Sequence, residues 1–231
     1  MGPACWKVFK YILFAGNPIQ KLISKTGDTH LFCNLQALNI LKRDGENSFA
    51  SISFDYIEFI NRGTFWADKG WKNFSHYFNP STQSGIKPWP DAKAECRDFF
   101  NLAVFHWLNG NKKKSFFFLG AAVHLVQDLC VPHHAKGTAF HGHSDYENWV
   151  QNNFNYFPAS YDGLYKTFYD PGSWVEHNAI ISFNYFPYVS YPCSHSSYAI
   201  ATEILLPLSQ KTTAGFFYYF FKVLKNNYKV F

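Results

Sequence analysis

His124 and Asp128 stand four apart in VHLVQDLC, and His143 and Glu147 repeat that spacing in HSDYENWV. On a helix, residues i and i+4 share a face, so each pair aims an imidazole and a carboxylate at one point. These are ligand types for Zn²⁺, which takes about four donors, and facing helices can build multi-metal sites from such inward pairs. A lone histidine is most simply a core or surface residue with one hydrogen bond. Asp128 resists that account, because it lies in the apolar run LGAAVHLVQDLCV, where a carboxylate is costly to bury unless paired or metal-bound. His134 follows Pro132, and His30 opens a stretch with leucines at helical spacing. Asp55 and His76 flank FDYIEFINRGTFWADKGWKNFSHYFNP, which reads as loop-rich.

The elements that must carry these residues read as helices nearly throughout. Leu31, Leu35, Leu38 and Leu41 recur after Asp28 and Thr29, either of which can cap. A helix is expected from about Asp91 to Leu108, ending at Asn109-Gly110. The next runs from about Ser115 to Cys130 and stops before Pro132. Phe117, Gly120, Ala121, His124 and Asp128 line one side of it. Another spans roughly Ser144 to Phe154, and a late one Thr212 to Leu224. Turn-like segments at Pro158 to Gly163, Asp170 to Gly172 and Tyr191-Pro192 separate the rest. Alternating strand patterns and repeats are absent. The expectation is one all-α domain over residues 1–231, with a poorly defined N-terminal segment over 1–28.

Composition narrows the function classes. The 231 residues suit one domain with a sizeable core. Aromatics make up 21%, enough to suggest contact with an apolar or amphipathic partner as well as a large core. The net charge of +5 favours anionic surfaces or phosphate-bearing substrates, and is too small and dispersed for a nucleic-acid binder. Lys112 to Lys114 read as a solvated helix approach. Five cysteines without a CxxC do not suggest a disulfide framework. No apolar window is long enough to span a membrane, and the N-terminal WKVFKYILFAGNP makes a poor signal peptide.

His124-x3-Asp128-x3-Pro132-x-His134-Ala135 resembles the signature of the bacterial zinc-dependent phospholipase C family, and Phe140, His143, Tyr146, Glu147 and Asn148 resemble the segment after it. Thr29-His30-Leu31 looks like that family's first histidine. Asp55-Tyr56 and Ser75-His76-Tyr77-Phe78-Asn79-Pro80 look like the stretch with its second aspartate and histidine, and Thr213-Ala214-Gly215 is also similar. The resemblance covers most of the chain. It implies an all-helical domain of the phospholipase C and single-strand nuclease type with two to three Zn²⁺. Asp55, His76, His124 and Asp128 would hold one ion; Asp128 would bridge to a second, shared with His30; His134, His143 and Glu147 would hold the third. Asp55 and Asp128 are the implied catalytic residues. Clustered Zn²⁺ acidifies a bound water for attack on phosphorus.

The chain departs from the family at the N-terminus. The family completes the His30-type site with the backbone of an N-terminal tryptophan, whereas Trp6 here lies twenty-four residues before His30. Nor is the C-terminal membrane-binding β-domain found in some toxins of this family expected in these residues. The leading expectation is a phosphodiester hydrolase acting on phospholipid and releasing diacylglycerol, with peripheral membrane contact and no stable nucleic-acid partner. Tyr56 either meets a choline-like head group by cation–π contact or packs. The alternatives are a single-strand nuclease or nucleotidase, and a metal-binding scaffold that has lost one ion. The resemblance suggests a secreted or cell-envelope protein; the weak leader and odd cysteine count suit the cytoplasm equally.

Overall fold

A computed structural model describes residues 29–69, 74–165 and 167–227. The Trp6 question and the Asp28 cap lie outside these residues. The described chain is helical, with a single isolated bridge between Asn79 and Ser84 and no strand. Ten α-helices follow in order: α1 (Thr29–Arg43), α2 (Asn47–Asp55), α3 (Ile57–Ala67), α4 (Ala92–Leu108), α5 (Lys112–Asp128), α6 (Pro132–Lys136), α7 (His143–Asn153), α8 (Pro171–Phe183), α9 (Phe186–Val189) and α10 (His195–Asn227).

Helix α5 is the axis of the fold. Asn111 caps it by accepting from the Lys114 amide, so the lysine run forms its first turn. From Leu119 to Asp128 every residue is buried. A helix apolar all round must be enclosed, and α3, α4, α8 and α10 enclose this one. Phe100, Phe116, Phe216, Phe220 and Trp174 fill the space between α4, α5, α8 and α10 with edge-on and offset rings. Asp91 caps α4 by accepting from the Ala94 amide, at the start expected for that helix.

Two expectations about the elements need correction. The stretch read as loop-rich contains α3, whose buried Ile57, Ile60, Gly63, Thr64 and Ala67 form one helical face. Its interior glycine and flanking aromatics hid that periodicity. Gly63 is there for contact: a Cβ on it would lie 1.8 Å from the Phe117 carbonyl oxygen, and one on Gly120 would lie 2.0 Å from that of Ile60. The two glycines let the α3 and α5 backbones touch. The last helix begins at His195, seventeen residues before the expected Thr212. Pro207 inside it removes one backbone hydrogen bond, but Tyr198, Ala201, Thr202, Leu205 and Leu206 are buried, and that packing outweighs the local signal.

Candidate metal centre

The end of α5, the head of α1, the segment after α3 and the α6–α7 pair converge on one cavity of about 380 Å³. Three groups of donors meet there: His30 with His124 and Asp128; Asp68 with His76 and His124; and His134 with His143 and Glu147. Asp128 joins the first two. Its Oδ1 lies 3.4 Å from His30 Nε2, while its Oδ2 lies 2.8 Å from His76 Nδ1 and 3.1 Å from His124 Nε2. In the third group, His143 Nε2 is 2.9 Å from Glu147 Oε1 and 3.1 Å from His134 Nε2, and the His134–Glu147 pair closes at 3.5 Å.

Hydrogen bonds outside the cluster fix which nitrogen of each ring faces inward. His30 Nδ1 donates to Gln127 Oε1 at 2.8 Å, His76 Nε2 to the Ala67 carbonyl at 3.2 Å, and His134 Nδ1 to the His76 carbonyl at 2.9 Å. In its neutral form each ring therefore spends its N–H on an outer acceptor and turns a lone pair to its neighbours. Lone pairs aimed at one another and at carboxylates repel unless a cation lies between them. Ligands of a tetrahedral Zn²⁺ with bonds of about 2.0–2.1 Å stand roughly 3.3 Å apart, close to the edges of the third triangle. The donors fit zinc in type, orientation and spacing.

The electrostatics point the same way. Burial opposes charge on His134, but Asp128 and Glu147 raise its pKa to about 9. Burial likewise opposes ionisation of Asp128 and Glu147, and the surrounding imidazoles hold both carboxyls below the usual range. His124 differs: burial dominates and pushes its pKa down to about 3, so it stays neutral and able to ligate. Burial and the charge of Asp128 push the Asp68 carboxyl upward.

Asp55 and Tyr56 are not brought to this cluster. Asp55 is exposed at the end of α2. The eleven-residue helix α3 puts about 16 Å between it and the cluster, at 1.5 Å per residue. Asp68, just past the end of α3, takes the place expected of Asp55, with Oδ1 3.9 Å from His124 Nε2. The face Ile57, Ile60, Thr64, Ala67 was the signal that leads to Asp68, since it carries the helix to the edge of the cluster. Tyr56 stacks on Phe116 at 4.6 Å and 11°, so packing accounts for it. The other expected ligands, His30, His76, His124, Asp128, His134, His143 and Glu147, lie together.

Sequence reading also missed the support beneath His30. Gln127 Nε2 donates to Asn34 Oδ1 at 2.9 Å and to Thr213 Oγ1 at 3.1 Å, and Asn34 Nδ2 reaches Asn61 and Thr64. This buried network ties the first histidine to four helices.

Residues 29–191 match the model of a family described as zinc dependent phospholipase C. A phospholipase C of Clostridium perfringens is 26% identical over 232 aligned residues, covering 83% of this chain and 58% of the relative. One of Listeria monocytogenes is 28% identical, covering 82% of this chain and 75% of the relative. The alpha-toxin structure from an avian strain of Clostridium perfringens has a TM-score of 0.75 at 24% identity, covering 87% of this chain and 65% of the toxin; at that identity it shows the all-helical fold alone. The chain spans less than two thirds of the length of the two Clostridium perfringens proteins.

Proposed function

The chain belongs to the zinc dependent phospholipase C family, and from that membership and the converging donors we propose that it is a zinc-dependent hydrolase of phospholipid phosphodiesters. It releases diacylglycerol and a phosphorylated head group. The observation that carries this reading is the placement of Asp128, with one carboxylate oxygen toward His30 and the other toward His76 and His124. A carboxylate so placed can join two ions, and the His134–His143–Glu147 group beside it can hold a third.

Asp68, in place of Asp55, completes the middle group. When bound, zinc supplies an acidic water and neutralises charge on the phosphate oxygens. The protein's own residues do the rest. Gln127, the Ala67 carbonyl and the His76 carbonyl hold the ring tautomers of His30, His76 and His134. The Asp68 side chain is 58% exposed with a raised pKa, so Oδ1 is placed to take a proton from a water at the mouth. Thr202, Leu205, Leu206 and Ser209 of α10 form a further wall of the cavity. That wall offers hydroxyls and apolar surface to whatever adjoins the phosphate.

The test compares head-group release from phosphatidylcholine with digestion of single-stranded DNA, each before and after chelation. The expected result is lipid hydrolysis that chelation abolishes and zinc restores, with the DNA intact. DNA digestion without lipid hydrolysis would reassign the site to a nuclease. Activity on neither, with zinc bound, would make it a scaffold.

A further inference from the structure

We propose that the Tyr77 hydroxyl donates a hydrogen bond to a non-bridging phosphate oxygen of the substrate, beside the metal centre. Tyr77 lines the cavity with Asp128, His134 and Glu147 and is 6% exposed. A buried phenol usually finds a partner for its O–H. Tyr146, on the same cavity, shares its hydroxyl with Thr202 Oγ1 at 3.2 Å. The Tyr77 hydroxyl has no hydrogen-bond partner among the described residues, yet it is not sealed in, so it opens onto the cavity. Burial, and after it the charges of Asp128 and Glu147, push its pKa up to about 12. Both carboxylates act on it because it lies on the cluster side of its ring.

The backbone holds that ring still. On one side of Tyr77 the His76 carbonyl accepts from His134 Nδ1 at 2.9 Å, and on the other the Phe78 amide donates to the His134 carbonyl at 3.2 Å. The Tyr77 carbonyl accepts from the Ala92 amide at 3.1 Å, and Gly85 presses against it so closely that a Cβ would come within 2.6 Å. The ring itself stacks on His134, with centroids 4.9 Å apart and an angle of 19°. The phenol is therefore fixed to a candidate ligand through ring and backbone together. Phenylalanine would stack as well; the hydroxyl is the part that packing leaves unexplained. The carboxylates Asp68, Asp128 and Glu147 bring acceptors to this cavity, whereas a phosphate oxygen needs donors. An O–H already oriented and shielded from water costs no reorganisation as charge builds on that oxygen. It donates a hydrogen bond and transfers no proton. The choice of a phosphate partner rests on the phosphodiesterase reading.

The experiment uses zinc-loaded protein with Tyr77→Phe and, separately, Tyr77→Leu. Hydrolysis of phosphatidylcholine and of a water-soluble nitrophenyl phosphodiester is measured beside calorimetric binding of inorganic phosphate, zinc content and melting temperature. Tyr77→Phe should lower kcat roughly ten- to a hundredfold on both substrates and weaken phosphate binding about tenfold, with zinc content and melting temperature as in wild type. Tyr77→Leu removes the stack on His134 too, and should in addition lose zinc from the His134 group. Unchanged kcat and phosphate binding in Tyr77→Phe overturn the proposal. Loss of zinc in that variant also overturns it, since the phenol would then be a metal ligand. So does a loss confined to phosphatidylcholine, since the hydroxyl would then serve the leaving oxygen. Phosphate binding needs no turnover: wild type that binds phosphate more tightly than Tyr77→Phe but cleaves neither substrate defeats the phospholipase reading alone.

Discussion

The two halves of the metal centre are built by opposite means. His124 and Asp128 stand on the fully buried end of α5, and His76 beside them is also buried. The third group stands on a five-residue helix, a turn with two positive-φ residues and the first coil of α7, and its Glu147 side chain is 45% exposed. His76, His124 and Asp128 of the first half sit in a packed scaffold, and its Asp68 side chain, 58% exposed, stands outside that packing. In the second only His134 is buried, so metal has more of the ordering to do. A site can therefore be preformed at one end and metal-organised at the other, and the two ends should fail differently.

The largest effect is expected where the halves meet. Asp128→Asn should lower turnover about a thousandfold and remove more than one zinc equivalent, because the carboxylate faces two donor groups. Near-normal turnover with full zinc, measured by elemental analysis, would show that Asp128 is only a buried polar residue.

Next is Gly120→Ala. Its Cβ would meet Ile60 backbone atoms, so α3 must move off α5 at a cost of about 1–3 kcal/mol. The movement carries Asp68 away from His124. The melting temperature and the zinc content should both fall, while the His134 group keeps its ion. A stable variant with unchanged zinc would mean that α3 does not position Asp68.

Gln127→Ala should cost roughly 10–100-fold in zinc affinity, the usual range for an outer partner of a histidine ligand. The loss should be confined to the ion that His30 serves. Competition against a graded chelator measures it, and a loss spread over all sites would instead indicate general loosening.

The gentlest contrast is in pH. His134, raised to about 9 in the metal-free fold, is protonated there at neutral pH. Its folded pKa exceeds its unfolded value, so the proton's stabilising contribution is complete below about 6.5 and lost as pH rises through about 9. Zinc competes with that proton, so affinity at the third group should rise roughly tenfold per pH unit over this window. His124, held near 3, imposes no such competition between pH 5 and 9. Zinc titrations from pH 6.5 to 9 should therefore show one pH-dependent class of site beside a flatter one, and Glu147→Gln should reduce the slope. Uniform slopes would erase the distinction between the halves.

What could be read from the chain alone was whatever depends on short spacings. The i,i+4 pairs His124–Asp128 and His143–Glu147, the start of α4 near Asp91 and the stop at Pro132 are local, and the helix period decides them. The same logic failed at α3, because Gly63 and Gly120 make sense only as partners, and their contact joins residues far apart in sequence. It failed again for α10, where burial of Tyr198, Ala201, Leu205 and Leu206 carried the helix through Pro207. Asp55 and Asp68 were both available as acidic donors. Only the packing of α3 across α5 decided that the carboxylate at its far end meets His124, because ligand geometry is set by the distance between helices, and that distance is fixed by side chains that touch rather than by residues that follow one another.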